Sequence, residues 1–228
     1  QRFLTLDTYR RAGFHVSSVL NESSAAGFEY ANRYRRTISS RREHVLVYDL
    51  GGGTFDAALI SMTEERNEVV VAAGAQRLGG DDFDEAILSL VLDEIDAGAP
   101  DEKERTAILE ECRRSKEAVV PATKRFIVDL ESIGRPPLVL PVAKVFAACS
   151  HLVEQTIAAM EPITRLLDAG EGGLGWNEVA GVYAVGGASR FPAVYRRLRD
   201  LFGQQRVHRS PYPFAATAMG LAVFMDEG

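Results

Sequence analysis

Three consecutive glycines, Gly51, Gly52 and Gly53, stand between two β-rich runs, Val45 to Tyr48 and Ala57 to Met62. A glycine triplet lets successive backbone N–H groups converge on an anion without Cβ obstruction, so the turn can act as a phosphate cradle. Asp49 ends the first run and Asp56 opens the second, where their carboxylates can flank the cradle and hold the waters of a hydrated Mg2+. Thr54 adds a hydroxyl. A plain hairpin loop would use the glycines only to turn the chain, but acids on both sides of the triplet serve no turn geometry.

Other residues suggest related chemistry less specifically. Glu22 follows a short β-rich stretch and opens a helix, where the helix dipole favours a carboxylate; it can equally orient an attacking water. Gly186 and Gly187 lie between an apolar run and a helix, so the backbone can approach a flat ligand, with Arg190 able to stack on it; a tight strand-to-helix turn is the plainer reading. Arg113 and Lys116 lie three apart on one helical face, as a grip on ribose hydroxyls requires, though a solvated charged face has the same spacing. The GEGGLG stretch beside Trp176 does not follow a strand and reads as a connection.

The elements needed to position these residues are legible in outline. Val16 and Val19 suggest a short strand, followed by an Ala-rich helix capped by Asn21. The arginines Arg33, Arg35, Arg36, Arg41 and Arg42 read as a solvated linker. The glycine triplet then joins a hairpin, not a crossover. From Asp82, the residues Phe83, Ile87, Val91 and Ile95 recur at helical steps until the DAGAP segment. A second helix runs from about Glu102 to Val119, near Pro121, and a strand follows with Phe126, Val128 and Leu130 alternating; together they suggest a small α+β insert. One long helix is expected from about Ala143 to Leu167. A buried strand, the double-glycine turn and a helix beginning at Pro192 come next, with Val194, Leu198 and Leu201 on its apolar face. The small-residue segment PYPFAATAMGLAVF forms a last helix able to pack closely on a sheet.

The 228 residues suffice for one large domain or two small lobes around a cleft. A net charge of -6 argues against binding a nucleic-acid backbone, and no apolar run approaches the ~20 residues of a membrane span. Cys112 and Cys149 lack CxxC spacing and the four histidines, His15, His44, His151 and His208, are scattered, so neither a zinc site nor a Ser/His triad assembles locally. A reducing, cytoplasmic setting follows. The chain opens with Gln1 and carries no signal peptide, as a segment of a longer protein would.

Six blocks, VLNESSAAGFEY, VYDLGGGTFD, RLGGDDFDEAIL, ECRRSKEAV, YAVGGASRFPAV and ATAMGLAV, occur in an order and at intervals that resemble the heat-shock protein 70 (DnaK-like) family of the actin-like ATPase superfamily. The resemblance covers nearly the whole chain. It implies an α/β fold: a ribonuclease-H-like lobe with a small α+β insert subdomain, plus fragments of the other lobe. Residues 1–40 would be a remnant of the first lobe, 41–78 the second lobe with its phosphate hairpin, 79–142 the insert, 143–208 the adenosine side and 209–228 the C-terminal helix of the first lobe. It also implies ATP or ADP as ligand, with Mg2+ and, as a further candidate, K+. Gly51, Gly52, Gly53 and Thr54 would hold the phosphates, and Asp49 and Asp56 the hydrated metal. Glu22 would link metal and attacking water to the interlobe switch. Gly80, Arg113, Lys116 and Glu117 would meet the nucleotide from one side, and Gly186, Gly187, Ala188 and Arg190 from the other. A co-chaperone or nucleotide-exchange factor would dock on the insert.

Departures from the pattern matter too. Ser23 replaces the proline usual after the acidic residue, Phe214 falls near the usual aspartate beside the nucleoside, and Val120 and Ala188 stand where small hydroxyl residues are common. The family's first phosphate loop and catalytic lysine have no counterpart in the chain, so weak nucleotide binding and negligible turnover are expected of it, with ATP hydrolysis left to the parent. Two alternatives stay open: a divergent member that senses nucleotide without hydrolysing it, and an actin-like filament subunit.

Overall fold

The structure is a computed structural model that describes residues 2–63, 67–95 and 100–227. Its centre is a five-stranded mixed sheet in the order β3-β2-β1-β6-β7. The strands are β1 (His44–Leu50), β2 (Thr54–Met62), β3 (Asn67–Gln76), β6 (Val179–Val185) and β7 (Val207–Arg209). β1, β2 and β3 pair antiparallel; β6 lies parallel to β1, and β7 parallel to β6. This is the α/β arrangement expected of a ribonuclease-H-like lobe.

Period-two alternation assigns the two faces of the sheet. Leu46, Tyr48 and Leu50 of β1, with Phe55, Ala57 and Leu59 of β2, enter the larger core. Val45, Val47, Ala58 and Ile60 enter the smaller one, against Ala26 and Tyr30 of helix α2 (Glu22–Arg33). The larger core is roofed by helices α3 (Gly80–Glu94), α4 (Glu102–Glu117), α5 (Val142–Ala159), α6 (Glu161–Ala169) and α7 (Pro192–Phe202). Tyr48 Oη donates to Thr156 Oγ1 at 2.8 Å, tying α5 beneath β1. A separate hairpin, β4 (Arg125–Val128) with β5 (Leu138–Pro141), adjoins α4 and α5, and its Phe126, Val128 and Leu140 continue the same core. Among the described residues no helix is long and apolar enough to cross a membrane.

The helical stripe of Phe83, Ile87 and Val91 is buried along α3, with Ile95 at its C-cap; most of the DAGAP segment lies outside the described residues. Several expectations change. Residues 16–19 are coil and not a strand; helix α1 (Arg2–Arg11) precedes them. Asn21 is the N-cap of α2 but makes no side-chain cap bond. The arginines Arg33, Arg35, Arg36, Arg41 and Arg42 are exposed, as a solvated segment requires, but part of the segment has regular structure: Arg33 Nε donates to the buried Glu29 at 2.7 Å, and a 3-10 turn spans Arg35–Thr37. The long helix breaks at Met160, because Pro162 has no N–H to continue the ladder and instead fits the first turn of α6. Leu130 lies past the end of β4, and Leu201 is 40% exposed, off the apolar face of α7. Strands β3, β5 and β7 add to the elements expected from the sequence.

The last helix, α8 (Ala216–Glu227), packs on α2, not on a sheet. A Cβ on Gly220 would stand 1.7 Å from the Ala25 carbonyl oxygen, so the two backbones meet where only glycine fits.

Candidate nucleotide cleft

Because β1 and β6 run parallel, the glycine triplet after β1 and the Gly186–Ala188 turn after β6 emerge at the same sheet edge. The two turns touch. Gly186 has φ +81°, and a Cβ there would lie 2.3 Å from the Leu50 carbonyl oxygen and 2.4 Å from Asp49 Oδ1. Between the turns opens a cleft of about 620 Å³, within the range of small-molecule sites. Gly51, Gly52 and Gly80 line it on one side and Gly186, Gly187, Ala188 and Arg190 on the other, with Arg113, Lys116 and Glu117 of α4 between. Gly53, Thr54, Asp49, Asp56 and Glu22 are not in that lining; Gly53, Thr54, Asp56 and Glu22 are exposed near its rim or beyond it.

The glycine turn is held by its carbonyls. Gly80 N donates to Gly51 O at 2.9 Å and Asp81 N to Gly52 O at 2.7 Å, so the first turn of α3 is spent on the loop. Among the described residues, the N–H groups of Gly52 and Gly53 have no acceptor. Two adjacent uncommitted amides on a turn are what an incoming phosphate needs.

The cations of α4 are engaged within the protein. Lys116 Nζ donates to Gly80 O at 2.7 Å and stands 2.7 Å from Asp84 Oδ1, an ion pair outside hydrogen-bond geometry. Arg113 reaches Asp84 Oδ2 through Nε at 3.1 Å and Asp81 Oδ1 through Nη2 at 3.0 Å. Sequence reasoning missed Asp84, which is buried. Its signal was a carboxylate at helical spacing from Ile87 and Val91, on the stripe that must face the core. It also missed Arg209 and Pro213, which complete the wall with Val120 and Phe214 and come together only through the fold.

Burial, then the carboxylates of Glu22 and Asp56, push the Asp49 carboxyl up to about 6. The three acids are therefore near neighbours, Asp49 and Asp56 being a direct cross-strand pair. Among the described residues no three His, Cys, Asp or Glu side chains are placed to hold a metal ion directly. A folded-state value above the ordinary 3.8 means that Asp49 favours folding below that pH and that this contribution is lost as pH rises through about 6. Asp49→Asn should then raise the unfolding free energy at neutral pH by about 2 kcal/mol, a figure reduced for residual solvation, and flatten its pH dependence between roughly pH 4 and 6. Urea melts across that range check this; an unaltered slope refutes it.

The family model for Hsp70 protein matches residues 1–226. The chain belongs to the Hsp70 family. Its Hsp70 relatives include a chaperone protein HscA homolog of Aromatoleum aromaticum, 32% identical over 98% of this chain and 34% of that protein. The HscA homolog of Neisseria meningitidis serogroup A is 33% identical over 98% of this chain and 34% of its own length. That of Cupriavidus necator is 34% identical over 90% and 31%. The chain thus spans about a third of the length of the Hsp70-family relatives it matches.

Proposed function

We propose that this chain is the ATP- and ADP-gripping part of a heat-shock-70-like chaperone ATPase domain, whose nucleotide state switches the conformation of the intact protein. The observation that carries this is the meeting of two glycine turns at the ends of parallel neighbours β1 and β6, with free amides at Gly52 and Gly53 beside a cleft of nucleotide size. The Hsp70 membership and the chaperone relatives support it.

In this reading Gly51, Gly52, Gly53 and Thr54 bind the phosphates, and Gly80, Glu117, Gly186, Gly187, Ala188 and Arg190 close on the nucleoside. Lys116 and Arg113 position that wall through Asp84. Asp49 and Asp56 hold Mg2+ through water, and the negative potential of the Glu22–Asp49–Asp56 cluster suits a cation. When bound, the metal neutralises phosphate charge. Glu22, at the start of α2, orients water and couples the cluster to the α2–α8 layer. Among the described residues both cysteines are buried and unpaired, in keeping with a reducing cytoplasm. The β4–β5 hairpin is the surface for an exchange factor or co-chaperone.

Calorimetric titration of Mg-ADP and Mg-ATP into the chain tests the reading. Saturable, Mg2+-dependent heat that Asp56→Asn weakens is the expected result; no saturable heat at millimolar nucleotide would sink it. A second reading, sensing without hydrolysis, is favoured by Phe214 at the cleft wall where the family pattern has a carboxylate. If Asp56→Asn abolished hydrolysis in the parent yet left its cellular function intact, this second reading would be preferred.

A further inference from the structure

Phe214 sits in the loop before α8 with 80% of its surface exposed. Its ring is nevertheless placed: a Cβ on Gly187 would stand 2.5 Å from Phe214 Cε1, so the ring edge rests on the backbone of the turn after β6. Gly186 N donates to Pro213 O at 3.2 Å and fixes the loop from the other side. Phe214, Pro213, Arg190 and Arg209 line both the cleft and a second hollow beside it, so this loop forms the ridge between the two.

The other side chains of this wall offer little that can read the edge of a base. Val119, Val120 and Pro121 are apolar. Arg113 is paired with Asp81 and Asp84, Lys116 with Asp84 and Gly80 O, and the Arg209 guanidinium lies 4.1 Å from the centre of the Tyr195 ring. Among the described residues, Arg190 and Glu117 are the charged side chains of the cleft wall without a partner. A guanidinium stacks on any base, and a carboxylate accepts from ribose hydroxyls as readily as from a base.

We propose that Phe214 is the nucleobase platform of this cleft, and that the base is held by stacking on its ring and on Arg190, so that adenine and guanine nucleotides bind alike. The inference rests on the nucleotide reading above and adds the substrate class. Every base has a π-face, so stacking tolerates the exchange of one purine for another, whereas strong discrimination needs donors and acceptors fixed opposite the base edge. A pyrimidine presents a smaller face and binds more weakly.

The test is calorimetry with ADP, GDP and CDP on the chain and on its Phe214→Ala and Phe214→Tyr variants. Because Phe214 is largely exposed, the alanine variant should keep its melting temperature. Expected are ADP and GDP affinities within about threefold of each other, weaker CDP, a loss of about tenfold for both purines in Phe214→Ala, and recovery in Phe214→Tyr. A preference for ADP over GDP beyond about tenfold overturns the inference and leaves the nucleotide reading standing. Unchanged purine affinities in Phe214→Ala also overturn it. Absence of binding by all three nucleotides removes the nucleotide reading and this inference together.

Discussion

Replacing Lys116 by Met should cost about 3–5 kcal/mol of stability. Asp84 is 1% exposed and Lys116 9% by side chain, so the carboxylate depends on this ammonium and on Arg113 for its compensation. Arg113 is 41% exposed, and solvent screens its charge; removing Lys116 leaves a buried carboxylate poorly neutralised. The same ammonium holds Gly80 O, and Gly80 N holds Gly51 O, so the substitution also loosens the support of the glycine turn. Urea denaturation measures the loss. Combining Lys116→Met with Asp84→Leu should recover much of it, because an apolar pair needs no charge compensation. A single-variant cost below about 1 kcal/mol would mean that Arg113 alone suffices.

Gly186→Ala should cost a similar amount, about 3–5 kcal/mol, for a different reason. Gly186 has φ +81° and ψ 149°, backbone that an L side chain adopts only under strain. A Cβ there would also press into the Leu50 carbonyl and the Asp49 carboxylate, both fixed at the end of β1. Gly203 separates the two terms: its φ of +87° and ψ of 145° are nearly the same, yet nothing lies within 4 Å of its Cβ position. Gly203→Ala should therefore cost only the strain, about 1–3 kcal/mol. Equal losses in the two variants would show that the close approach of the turns is not what demands glycine. A larger loss at Gly186, with weakened nucleotide binding, ties the integrity of the cleft to the contact between the turns.

The elements of the core were legible because local periodicity encodes them. Alternation in β1 and β2 separates Val45 and Val47 from Leu46 and Tyr48 whatever lies on either face, and the four-residue spacing of α3 names its buried stripe. Pro162 was legible too, and its missing N–H should have divided the long helix at Met160. Strand β7 was harder to see, since three residues at an edge carry almost no pattern and exist as a strand only because β6 supplies a ladder.

By itself the sequence determined where the glycine turns fall, the buried stripe of α3, and the family to which the order of its blocks belongs. Tertiary structure alone decided what those residues meet. Spacing puts Lys116 and Arg113 on one helical face, but that both meet the carboxylate of Asp84, some thirty residues away in the chain, follows only once α3 lies beside α4. Asp49 becomes a hard acid to ionise only when burial and two neighbouring carboxylates surround it. The reason is physical: periodicity is a property of neighbours along the chain, whereas charge compensation and desolvation depend on neighbours in space.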